Sequence, residues 1–147
     1  MTTIVRAKAE HLDDAAPLFD AYRAFYGRAS DPAESAAFLK ERLNKEESVV
    51  FLAYEGEAAI GFMQLYPSFS SLSLRKTWIL NDLFVAPLHR GKGAASRLIE
   101  TAFDWTRKTG AKGLALSTAR DNAAAQRLYE SLGFRRDELF LTYEWEA

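Results

Sequence analysis

The sequence predicts an α/β fold in which helices cover a mixed sheet, and three observations point to it. Strand-like and helix-like patterns alternate through the second half of the chain, which calls for a sheet with helices packed on it. Two apolar runs, "SVVFLAY" and "AAIGFMQLY", flank "EGEA", which is a hairpin signal. The strand–turn–helix–strand unit from Trp78 to Ala119 calls for a right-handed crossover between two parallel strands.

In chain order, "TIVRA" reads as a first strand. A helix follows in "HLDDAAPLFDAYRAFYG", where Leu12, Ala15, Ala16, Phe19, Tyr22, Phe25 and Tyr26 recur at helical spacing and Gly27 suits the end. Asp31 and Pro32 start a second helix that runs to about Asn44, with proline at an early helical position. After the hairpin, "PSFSSLSLRK" reads as a loop whose Phe69 and serines suit a lid. "TWILNDLFV" is a strand stopped by Pro87. An amphipathic helix spans Gly91 to Thr109, carrying Ala94, Leu98, Ala102 and Trp105 on one stripe. "LALSTA" is the next strand. "DNAAAQRLYESLGF" is a helix capped by Asp121 or Asn122 and ended by a left-handed Gly133 with Phe134 beyond. "ELFLTYEWEA" reads as a final strand, with Leu139, Leu141, Tyr143 and Trp145 on one face; that apolar edge suits a homodimer or the closing of a monomer core.

The chain of 147 residues is expected to be one domain, residues 1–147, large enough to bury a core without covalent staples. Nineteen Lys and Arg against 20 Asp and Glu leave no global field that would draw nucleic acid or an anionic membrane, so any anion site must be local. No cysteine is present, and the only histidines are His11 and His89. Thiolate chemistry is therefore excluded and a histidine-built metal site is not expected. The first residues lack the apolar core of a signal peptide, and no apolar run approaches ~18 residues, so a cytoplasmic protein is expected.

The stretch "HRGKGAAS", His89 to Ser96, lies where a strand hands over to a helix. A helix start there presents unpaired N–H groups and the positive end of the helix dipole. Gly91 and Gly93 let backbone approach a ligand, and Arg90 and Lys92 add positive charge, so the turn can cradle a diphosphate. The same residues also suit a solvated turn. Neither the P-loop spacing nor the Rossmann fingerprint with its downstream acid is present.

Two segments together carry a resemblance. "LFVAPLHRGKGAASRLIE" fits the Arg/Gln-x-x-Gly-x-Gly/Ala signature at Arg90, Gly93 and Ala95, and "ARDNAAAQRLYESLGF" fits an Asn…Tyr…Gly-Phe segment at Asn122, Tyr129, Gly133 and Phe134. The chain in this respect resembles the GNAT superfamily of N-acetyltransferases, over nearly its full length. "ILNDLFV" looks like the corresponding strand of small-amine and polyamine members. Ala95 departs from the glycine that many members carry. The resemblance implies a mostly antiparallel sheet with two splayed parallel strands, and acetyl-CoA as co-substrate. It implies that Arg90, Gly91, Lys92, Gly93, Ala94, Ala95 and Ser96 hold the pyrophosphate. It implies further that Leu83, Phe84 and Val85 offer backbone groups to the pantetheine arm, with Asn122 as another contact. A non-catalytic acyl-CoA-binding module is the reading from another class.

Amine acetylation needs a route for the ammonium proton, a donor for the oxyanion and an acid for the departing thiolate. Tyr129 matches the family's general-acid tyrosine and is otherwise a half-buried helix aromatic. Asn81 and Asp82 interrupt an apolar strand, where a carboxylate is costly unless partnered. Successive residues face opposite sides, so one of the two should face the cleft unless a bulge re-aims the strand. Asp82 is the choice here, as anchor for a cationic substrate or as a base acting through water; its other reading is a hydrogen-bonded framework residue. Tyr22 and Tyr26 belong to the core or line the acceptor site. The expected acceptor is a primary amine of a small molecule (an amine, polyamine or amino acid), with a protein lysine or N-terminus as the alternative.

Overall fold

The computed structural model describes residues 1–147, which form two compact units, Met1–Ser117 and Thr118–Ala147. In the first unit the apolar alternations become five strands: β1 (Thr2–Arg6), β2 (Val49–Glu55), β3 (Ala58–Ser70), β4 (Arg75–Val85) and β5 (Leu114–Ala115). They lie side by side in chain order. The first four are mutually antiparallel, and β4–β5 is parallel, so the sheet is mixed and mostly antiparallel.

The period-2 patterns assign two faces. Val50, Leu52, Phe62 and Phe84 meet α1 (Leu12–Phe25) and α2 (Pro32–Asn44) through Leu18, Phe19 and Leu39. On the opposite face α3 (Ala94–Lys108) buries Leu98, Ile99 and Ala102, and its Trp105 ring lies 5.8 Å from Phe51 and 5.9 Å from Trp78. Gly61 lets β3 and β4 close up, because a Cβ there would sit 2.9 Å from the Phe84 carbonyl oxygen.

The α1–α2 corner is held by one buried carboxylate. Asp20 accepts from the Ser30 hydroxyl at 2.5 Å, the Asp31 N–H at 2.9 Å and the Ser35 hydroxyl at 2.7 Å. Those hydroxyl bonds and the amide bond, with Arg23 nearby, hold its carboxyl below the usual carboxylate range. Asp31 in turn caps α2 by accepting from the Glu34 N–H, and Pro32 starts it as expected.

Several boundaries differ from the sequence reading. β3 runs through "PSFS" and β4 begins at Arg75, so the expected lid loop shrinks to a tip at residues 71–74, with Phe69 exposed on a strand. α3 starts at Ala94 rather than Gly91, because Gly91 and Gly93 adopt positive φ, which a helix cannot use. β5 is two residues long, not six. The final strand expected at Glu138–Ala147 is absent: those residues form no strand, and Leu139, Leu141, Tyr143 and Trp145 are exposed. Alternation makes side chains compatible with a strand, but a strand also needs an edge for its backbone. The local partner here is Asp137, whose carboxylate accepts the N–H groups of Leu139 and Phe140.

Asp20→Ala should lower the melting temperature at pH 7. A carboxylate whose folded-state pKa is depressed stabilises above the unfolded value of about 4 and loses that contribution as pH falls through its folded value. The gap between variant and parent should therefore narrow below about pH 4; calorimetric melting at both pH values checks this, and an equal gap at both refutes it.

Candidate functional site

The site is organised by an irregularity in β4. Leu65 pairs with Leu80 and Gln64 pairs with Asp82, which leaves Asn81 as an extra residue, a β-bulge. Its effect is visible in the packing. Trp78 meets Trp105 on the α3 face, whereas Phe84, six residues on and of the same parity, meets Tyr22 and Phe25 of α1. The bulge has turned the strand over. Asp82 consequently joins Gln64, its cross-strand neighbour, on the α1–α2 face instead of entering the apolar layer under α3.

Asp82 is 3 % exposed there. One carboxylate oxygen accepts from Gln64 Nε2 at 2.5 Å and the other from Asn81 Nδ2 at 2.9 Å. Gln64 is fully buried, and its Oε1 accepts from the Ser48 hydroxyl at 2.7 Å. The Tyr22 hydroxyl donates to the Asn81 carbonyl at 3.3 Å. Burial first, and then the negative charge of Asp82, push the Tyr22 phenol well above its ordinary value; the same two causes push Tyr66 up to about 12. Tyr26 packs its ring 5.1 Å from that of Tyr22 and is more than half exposed. The sequence reading chose Asp82 over Asn81 to face the cleft, with a hydrogen-bonded framework carboxylate as its other reading. Asn81 is exposed and Asp82 points inward, because the bulge gives Asp82 a buried set of donors. Gln64, Ser48 and Tyr66 were not singled out from the sequence; the signal was a glutamine inside the apolar run "GFMQLY".

The other side of β4 is open beyond its start. Trp78 donates to the Gly113 carbonyl at 3.0 Å and the Lys76 carbonyl accepts from Lys112 at 2.7 Å, but the β4–β5 ladder ends at Ile79–Ala115. β4 continues to Val85 without a strand on that side. At its far end the Ala86 N–H is given to the Ile60 carbonyl on β3. Alternation then directs the backbone of Phe84 to β3 and that of Leu83 and Val85 to the open side. Of the three residues expected to offer backbone groups, Phe84 is thus engaged in the sheet and instead supplies its ring to the α1 packing.

The glycine turn follows directly. Gly91 and Gly93 have φ of 76° and 87°, and Gly93 is the N-cap of α3. No side chain caps this helix and no acidic residue stands in its first turn. The N–H groups of Ala94, Ala95 and Ser96 lack intrahelical acceptors. A Cβ at Gly91 or Gly93 would meet nothing within 4 Å, so space before the backbone is free. Lys92 is exposed beside it. Arg90 does more than add charge: Nε donates to the Val85 carbonyl at 2.8 Å, and the guanidinium lies 5.2 Å from the Phe25 ring and 5.3 Å from that of Phe84. It ties the turn to the end of β4. The turn fits an anionic group, and the open edge beside it fits an extended chain bearing amides. No cluster of His, Cys, Asp and Glu suited to a metal ion occurs.

In the second unit α4 (Ala123–Ser131) is capped as expected, with Asn122 Oδ1 accepting from the Ala125 N–H at 3.1 Å. Gly133 ends it with φ of 102°, and the Phe134 N–H returns to the Tyr129 carbonyl at 3.0 Å. The Tyr129 ring packs 5.8 Å from that of Phe134.

Residues 15–134 match the acetyltransferase (GNAT) family. The chain is 48% identical over 140 residues to the uncharacterized N-acetyltransferase YhfO of Bacillus subtilis, covering 95% of this chain and 94% of that protein. A crystal structure of a probable acetyltransferase, also 48% identical, superposes with a TM-score of 0.94 over 99% of this chain and 97% of its own. Aminoglycoside N(6')-acetyltransferase type 1 of Salmonella typhimurium is 26% identical over 114 residues, 71% of this chain and 74% of that one.

The tyrosine environment gives a direct test. A phenol whose pKa is raised on folding stabilises fully below about pH 10 and loses that contribution as pH rises toward its folded value. Ultraviolet titration should show Tyr66, identified by its loss in Tyr66→Phe, ionising at about 12. Asp82→Asn removes one of the two causes and should lower that midpoint while leaving it above 10, since burial remains. An unmoved midpoint would show that the carboxylate charge does not reach Tyr66.

Proposed function

The chain belongs to the acetyltransferase (GNAT) family, which uses acetyl-CoA, and it is an acetyltransferase; from that premise we propose that it carries acetyl from acetyl-CoA to a primary amine of a small molecule (an amine, polyamine or amino acid) within a direct ternary complex. The observation that carries this reading is the β4 edge that no strand pairs, which presents the Leu83 backbone and the Val85 N–H and runs into the uncapped start of α3. The edge suits the pantetheine amides as an added strand, and Gly91 to Ser96 suit the diphosphate. An aminoglycoside acetyltransferase among the relatives supports a small polycationic acceptor.

Acetyl-CoA supplies a thioester whose carbonyl carbon takes the amine nitrogen as the C–S bond breaks. The chain must then do three things. The Val85 N–H, turned to the open side, serves as donor to the oxyanion. Asp82 draws the acceptor ammonium and takes its proton through water, since its own burial prevents open contact. Tyr129, by its match to the family segment, protonates the thiolate, for which a phenol hydroxyl is a suitable donor, and Asn122 contacts pantetheine. Tyr26 extends the acceptor wall beside Tyr22. Release of CoA is the assay: free amines, amino acids and kanamycin against lysine-bearing peptides. Turnover of peptides alone would replace the small-molecule acceptor with a protein one.

Gly93→Val should weaken acetyl-CoA binding at least tenfold by calorimetry, as bulk and backbone strain enter at positive φ. Arg90→Ala should weaken it less, because exposed charge is screened. Undiminished affinity in a folded Gly93→Val protein would refute the cradle.

Tyr129→Phe keeps the ring packing and removes the hydroxyl. Turnover should fall by about 10²-fold, the scale of a positioned acid, with acetyl-CoA affinity retained. Near-parental turnover would assign the proton to another donor.

A further inference from the structure

We propose that Gln64 is a positioning residue of this transferase: clamped by Ser48, its side-chain amide holds the buried Asp82 carboxylate in place under Tyr22. The proposal rests on the reading of Asp82 and Tyr22 as the acceptor-ammonium site.

Three facts carry it. First, Asp82 forms no ion pair; amide donors from Gln64 and Asn81 serve both of its oxygens. A buried carboxylate needs partners. A lysine or arginine in their place would have cancelled its charge, whereas two neutral amides satisfy the oxygens and leave the charge for an incoming ammonium. Second, Gln64 has one permitted orientation. Turned over, its Oε1 would face the Asp82 oxygen, two acceptors in contact; the Ser48 hydroxyl, donating to Oε1, locks the amide from the other end. Third, Gln64 on β3 pairs with Asp82 on β4 because Asn81 is bulged, and Ser48, the residue just before β2, reaches Gln64 through its side chain. The strand irregularity and the amide are parts of one device.

The charged and titratable groups around Asp82 are few. Tyr22 faces it from α1 and Tyr66 from β3, with Arg42 of α2 and Glu47 acting on Tyr66. The two phenols therefore report where the carboxylate charge sits.

The test compares Gln64→Met, which keeps length and apolar bulk, Ser48→Ala and Asp82→Asn. Spermidine and kanamycin A serve as amine probes, and the ultraviolet titration of Tyr22 and Tyr66 needs no acceptor. In Gln64→Met we expect KM for the amine to rise at least fivefold, kcat to fall, and KM for acetyl-CoA to stay unchanged. The tyrosine midpoints should fall toward those of Asp82→Asn. Ser48→Ala should move both readouts the same way by less. A folded Gln64→Met with parental amine kinetics and parental tyrosine midpoints, altered in melting temperature alone, overturns the proposal and makes Gln64 a core filler. If Gln64→Met does not fold, Ser48→Ala decides, and parental values there overturn the proposal. If Asp82→Asn leaves amine kinetics untouched, the acceptor reading itself fails, while the titration still reports whether Gln64 places the carboxylate.

Discussion

Asn81 has no partner on β3, and β4 changes faces at that residue. A regular strand would have carried Asp82 with Trp78 and Leu80 into the apolar layer beneath α3, away from Gln64. The extra residue sends Asp82 to the α1–α2 face and Phe84 to the rings of Tyr22 and Phe25. It also sets which backbone groups leave the sheet, so that Leu83 and Val85 face the open edge. The proposed acceptor and co-substrate sites both depend on this one insertion.

The two halves of the site are held by different physics. On the side away from β3, the proposed co-substrate site is built from backbone: a strand edge that no strand pairs and the first N–H groups of α3, which owe nothing to side-chain identity beyond small residues at Gly91 and Gly93. Arg90 joins these parts by bonding the Val85 carbonyl and lying over Phe25 and Phe84. On the buried side, the proposed site is built from side chains, where every polar atom of Asp82 and Gln64 named above has a partner. Low local dielectric strengthens those bonds and would make any missing one costly.

The position of Tyr22 over the Asn81 carbonyl depends on where α1 sits. The Asp20 clasp on Ser30, Asp31 and Ser35 locks α1 to α2 at the end of α1 that carries Tyr22, Phe25 and Tyr26. The stacked and edge-on contacts of Tyr22 with Phe19, Phe62 and Phe84 then seat its ring on the sheet. A polar residue on the buried stripe of α1, in "FDAY", was the signal for this clasp, and it is readable only once the serines are known to lie opposite.

Local pattern determined much of this protein. Helix periods, the hairpin, the Asn122 cap, the left-handed Gly133 and the glycine turn follow from residue chemistry within a few positions, and the paired segments around Arg90 and Asn122 pointed to the family. The sequence also showed that Asn81 and Asp82 break an apolar strand. Which of them turns inward was decided by register with β3, a non-local property: one unpaired residue reverses every side chain after it. The partners Gln64 and Ser48 lie 18 and 34 positions earlier, beyond any local pattern. The C-terminal alternation shows the converse. Leu139 to Trp145 read as a strand, yet a strand exists only where another chain segment accepts its hydrogen bonds, and that is settled by tertiary structure alone.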